Sequence, residues 1–134
     1  MPLSSELLFL TLTASLTGLL WVPIILNRFA EHGIWTAIRN PKPDGRARAD
    51  WAYRLSYAHS NAVENLVVFA PLALMVHSLG LATPVTATAA ALFFVSRLAH
   101  ALIYTLGIPV LRTLAFLIGF GCQIVFALRL LGPL

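Results

Sequence analysis

Residues 51–79 read WAYRLSYAHSNAVENLVVFAPLALMVHSL, and the order of polar and apolar side chains in this stretch decides the fold. From Leu66 to Val76 no side chain is polar, whereas the first half carries Arg54, Tyr57, Asn61, Glu64 and Asn65 at intervals of three, four, three and one. At 100° per residue these five fall within about 100° of one another, which is the signature of a helix with one polar stripe. A helix of this length extends about 44 Å, longer than the hydrocarbon core of a bilayer at about 30 Å. The expectation is a long membrane helix, capped by Asp50 and kinked at Pro71, whose first turns lie among the headgroups.

The rest of the chain supports a membrane setting. Of 134 residues, 59% are apolar and 10% charged, against about 25% charged in soluble domains. Three more stretches are long and apolar enough to cross, at 7–26, 85–106 and 110–131, so the fold class expected is an all-α, integral membrane four-helix bundle forming one domain over 1–134. Residues 1–6 contain no Lys or Arg and no small-residue cleavage site follows the first apolar run, which argues against a signal peptide. The polar loop 27–50 holds Arg28, Arg39, Lys42, Arg46 and Arg48, with turn formers at Asn40-Pro41 and Pro43-Asp44-Gly45. By the positive-inside rule this loop is cytoplasmic, both termini face out, and the membrane is the inner, or plasma, membrane. The loop is read as solvated and lipid-facing. The excess of nine Lys and Arg over five Asp and Glu speaks to orientation rather than to nucleic acid, for which no binding is expected.

Several polar residues fall where hydrocarbon should be. Arg97, His100 and Tyr104 share one face of the third span, and Arg97 lies about 14 Å from that span's end, too deep for easy snorkelling. Arg112, Phe116, Gly119 and Gln123 share a face of the fourth. An isolated Arg or Glu near a helix centre costs at least about 2.5 kcal/mol, so pairing is expected, with Glu64 and Arg97 as candidate partners. Three helices bringing cationic or amide stripes to one half of the bundle describe a pocket for an anion. The stripes gather in one half instead of lining a full path, which argues against a channel. His32 and His77 have no second ligand at metal spacing, so no metal site is expected. Cys122 lies in an apolar run with no cation on its own helix turn to activate it.

The run from Arg54 through Asn61, Glu64 and Asn65 to Phe69-Ala-Pro71-Leu72, together with Arg97-Leu-Ala-His100-Ala-Leu-Ile-Tyr104 and Arg112, resembles the signature of the MAPEG superfamily, the membrane-associated proteins in eicosanoid and glutathione metabolism, in its bacterial branch. The resemblance covers the whole chain. It implies a homotrimer with glutathione as co-substrate in a cytoplasm-facing site between subunits, and lipophilic electrophiles arriving from the bilayer. Arg28, Arg54, Asn61, Glu64, Arg97, His100 and Tyr104 are then the glutathione-binding residues, Glu64 toward the cationic amino group, and Arg112 the catalytic residue that holds the sulfur as thiolate. Tyr57 and Ser60 stand where two arginines are common in the glutathione-using members, and Phe116 replaces an aromatic hydroxyl. These departures leave a second reading: a binding or structural protein that keeps the fold but has lost thiol chemistry. The first, a membrane glutathione transferase or peroxidase, is the one favoured.

Overall fold

The computed structural model describes residues 3–43 and 45–132; Asp44, in the expected turn, and the first two residues of the N-terminal segment lie outside them. The described residues contain helices and no strand: α1 (Ser5–Leu19), α2 (Trp21–His32), the short α3 (Ile34–Ala37), α4 (Asp50–Ser78), α5 (Pro84–Leu106) and α6 (Pro109–Leu131). Four segments, 5–32, 50–78, 84–106 and 109–131, are long and apolar enough to cross a membrane.

The first segment departs from a single continuous helix ending near residue 26. It breaks at Leu20 and then continues to His32. Pro23 explains the break, because it has no N–H to donate and its ring crowds the carbonyl of Leu19 four residues earlier. Gly33, with φ 75°, then turns the chain out of the helix. The start of α4 also differs from expectation. Asp50 is the first helical residue and the N-cap position is Ala49, which offers no side-chain oxygen. The Glu31 carboxylate takes over from across the loop, accepting from the amides of Arg48 at 3.0 and 3.1 Å and of Ala49 at 3.0 Å, and from the Asn27 side chain at 2.9 Å. One carboxylate thereby docks α4 onto α2. Beyond it, α4 passes through Pro71 as one helix.

At the far end, Thr83 and Thr86 form a capping box over Pro84, which opens α5. The Thr86 hydroxyl also donates to Glu6 at 2.6 Å, burying the Glu6 carboxylate against a residue 80 positions later. Arg129 near the end of α6 donates to the Leu81 carbonyl at 2.8 Å.

The core fills the half of the bundle next to the α4–α5 turn. Phe69, Phe93 and Phe126, one from each of α4, α5 and α6, are fully buried. Phe69 stacks on Phe93 at 3.9 Å between ring centres and meets Phe126 edge-on at 5.3 Å. Alanines 52, 58, 62, 73, 89, 90, 101 and 115 are buried too, with Leu55, Val76 and Cys122, and small residues such as alanine let helices approach closely where lipid gives no hydrophobic drive to associate. α5 is central, packing on α1, α4 and α6. Large side chains such as Val67, Leu102 and Leu117 point outward, as suits a surface solvated by hydrocarbon. Buried threonines on α1 return their hydroxyls to carbonyls of their own helix, Thr13 to Phe9 at 2.7 Å and Thr17 to Thr13 at 2.8 Å.

Candidate functional site

The buried ridge of α4 runs through Ala58, Ala62, Asn65 and Phe69. Asn61 lies beside this ridge and Glu64 beyond its edge, so packing α4 onto α5 and α6 turns the asparagines inward and leaves Glu64 exposed. The consequence corrects the expected Glu64–Arg97 pair, since no ion pair joins these two residues. Arg97, 2% exposed, instead donates through Nη1 to Asn61 Oδ1 at 3.1 Å and through Nη2 to the Ala115 carbonyl of α6 at 3.2 Å. Its Nε is buried with no partner among the described residues. The guanidinium carbon lies 5.6 Å from the Phe93 ring centre and 5.7 Å from that of Phe116.

The network continues past Arg97. Asn65 Nδ2 donates to the Asn61 carbonyl at 2.8 Å and to Asn61 Oδ1 at 3.3 Å. Gln123 Nε2 on α6 donates to the Asn65 carbonyl at 3.2 Å and to its Oδ1 at 3.3 Å. Three helices are thus sewn together by amides and one guanidinium. Gly119 makes this possible: a Cβ there would stand 2.6 Å from Arg97 Nη2 and 2.9 Å from Ser96 Oγ. Gly119 appears in the sequence only as a member of the Gln123 face. Its role as the floor under a guanidinium depends on a neighbouring helix that the sequence does not display.

Toward the α5–α6 turn lies a second group. Arg54 Nε donates to the Thr105 carbonyl at 2.9 Å, fastening the start of α4 to the end of α5. The turn residue Gly107 has φ 79°, and a Cβ on it would meet the Arg54 guanidinium carbon at 3.2 Å. The Arg112 guanidinium carbon lies 4.6 Å from the Tyr104 ring centre, and the ring of His100 is 5.6 Å from that of Tyr104. Both Arg112 and Tyr104 are half-buried, and His100 is buried.

Of the residues expected at the site, the structure joins Asn61 to Arg97 directly, and His100 to Arg112 through Tyr104. Glu64 is exposed on α4, as is Tyr57, and both carry polar groups outward from a membrane helix. Arg28 is exposed on α2 and belongs to a different place, a cavity of about 570 Å³ between α2 and the loop that leads to α4. Glu31, which shapes that loop, is a residue the sequence reading did not single out. No group of three or more His, Cys, Asp or Glu side chains gathers among the described residues in a way that could hold a metal ion.

Comparison with curated proteins and with solved structures finds no significant match. The family model of MAPEG matches residues 7–132, nearly the full chain and all four candidate spans. This multi-pass integral membrane protein, with its buried Arg97–Asn61–Asn65–Gln123 network, belongs to the MAPEG family, the membrane-associated proteins of eicosanoid and glutathione metabolism.

Proposed function

We propose that the chain is a bacterial-type, homotrimeric MAPEG enzyme that binds glutathione between subunits and uses it to conjugate or reduce lipophilic electrophiles reaching the site from the bilayer. The observation that carries this reading is Glu64. It lies 14 residues from either end of α4, exposed on the subunit surface and without an ion-pair partner among the described residues. A charge at such a depth costs at least about 2.5 kcal/mol if it faces hydrocarbon. A neighbouring subunit and a cationic ligand group remove that cost, and the ammonium of glutathione is such a group.

The remaining residues fit the rest of the ligand. Arg112 is held over the ring of Tyr104 with its guanidinium partly open, where it favours the charged form of a thiol brought beside it. Arg54 and Arg97 are already committed to carbonyl and amide oxygens, so they shape the site more than they grip a ligand, and the one unpartnered N–H of Arg97 is buried. Arg28, remote from the others within one chain, would reach the ligand from a neighbouring subunit. When bound, glutathione supplies the nucleophilic sulfur: a carbon–sulfur bond forms, the leaving group departs with its electron pair, and the thiol proton passes to water.

Titration of glutathione into the detergent-purified protein by calorimetry tests the reading. Binding is expected, and Glu64→Gln should weaken it about 10- to 150-fold, the loss of one charge-assisted contact. Arg112→Leu should abolish the thiolate absorbance that follows mixing while leaving binding in place. Native mass spectrometry should report a trimer. Absence of binding heat from a folded trimer would overturn the glutathione assignment in favour of a non-catalytic member of the fold.

A further inference from the structure

The cavity between α2 and the loop has a composition that the thiol site does not explain. Among the described residues its walls carry five cationic side chains, Arg28, Arg39, Lys42, Arg46 and Arg48, and one carboxylate, Glu31. Glu31 is already engaged by the amides of Arg48 and Ala49 and by Asn27, and Arg46 by Asp50 at 3.5 Å and by the face of Tyr53 at 3.9 Å. The other four cations form no ion pair among the described residues. At about 570 Å³ the cavity falls within the range of small-ligand sites.

The chain passes from α2 through Gly33 into α3, whose Thr36 lines the cavity. Ile34, Trp35 and Ile38 share one side of this turn and are 61%, 78% and 62% exposed. Such a trio at the end of a membrane-spanning helix lies at the bilayer interface, with the indole at headgroup level. The cations beside it then face phosphates from below, at the height where anionic lipids present them.

We propose that this cavity seats the phosphate headgroup of an anionic phospholipid, with Arg39, Lys42 and Arg48 as its principal contacts and the α3 trio sunk among the adjoining acyl chains. The assignment is independent of glutathione chemistry. It commits to lipid over a free anion because the exposed apolar trio alternates along the chain with Thr36 and Arg39, which line the cavity, so that one amphipathic molecule can satisfy both.

The full-length protein in nanodiscs containing phosphatidylglycerol and phosphatidylcholine in equal amounts, followed by native mass spectrometry of the lipids it retains, provides the test. Wild-type protein should keep phosphatidylglycerol in preference. Arg39→Gln, Lys42→Gln and Arg48→Gln should each reduce that preference about fivefold. If Arg39→Gln or Arg48→Gln fails to fold, Lys42→Gln, at an exposed position without a side-chain hydrogen bond among the described residues, carries the test. Equal retention of the two lipids by the wild type, or an unchanged preference in Lys42→Gln, would overturn the proposal. So would release of the retained lipid by millimolar inorganic phosphate or glutathione, since either result assigns the cavity to a soluble anion.

Discussion

The two halves of this bundle are held by different physics. Next to the α4–α5 turn, Phe69, Phe93 and Phe126 interlock with alanines, Val76 and Cys122 in one apolar cluster. In the other half, Arg97, Asn61, Asn65 and Gln123 are joined by hydrogen bonds across three helices. The aromatic half depends on shape, through many weak dispersion contacts that lipid chains could only imperfectly replace. The polar half depends on satisfaction, since each group placed there is costly unless its partners are in position. Substitutions should therefore fail by different routes in the two halves.

The largest effect is expected in the aromatic half. Phe93→Ala removes a ring that stacks on Phe69 and supports Arg97, and should cost about 3 kcal/mol, near the low end for buried phenylalanine because lipid replaces water as the competing environment. Thermal unfolding in detergent measures it; a loss below about 1 kcal/mol would show that the aromatic half is not the stabilising one. Next comes Gly119→Ala, which forces a Cβ to within 2.6 Å of the Arg97 guanidinium and should cost about 1–3 kcal/mol by overpacking. Arg97→Met, with its flexible unbranched chain, should recover most of that loss in the double variant. Failure to recover would place the clash with Ser96 instead.

A smaller change follows from Gln123→Leu. It removes two hydrogen bonds to Asn65, and interhelical hydrogen bonds in membranes average about 0.6 kcal/mol, so a loss of that order is expected in the same unfolding measurement. The smallest effect is the coupling between Glu64 and Arg97. With no ion pair between them, Glu64→Gln and Arg97→Met should add to within about 0.5 kcal/mol. A coupling above about 1 kcal/mol would restore the direct pair and contradict the observed arrangement around Asn61.

The four spans were legible because their signal is local: uninterrupted apolar length, and Gly or Pro at the turns. The break at Leu20 was announced by Pro23, although the apolar run masked it. The polar stripes were legible as stripes, but their pairing was not, because a 100°-wide stripe spans both the packed ridge and its exposed flank. Glu64 and Asn61 differ by only three positions, and the alanine spacing at 58 and 62 is what decides between them. The roles of Gly119 and Glu31 are tertiary. Each serves an element elsewhere in the chain, so neither carries a pattern that a single segment can reveal.

The contact between Glu6 and Thr86 has a consequence for how the protein is made. The two residues are separated by 80 positions, and at a synthesis rate of about 5–20 residues per second the second emerges roughly 4–16 s after the first. For that interval the first span carries a carboxylate with no hydroxyl to receive it. The hydroxyl that receives it belongs to the third span, so the N-terminal helix can be threaded early yet makes this contact only after α5 has entered beside it. The order of insertion and the order of packing are therefore different, and the segment made first is the one whose final position is fixed late.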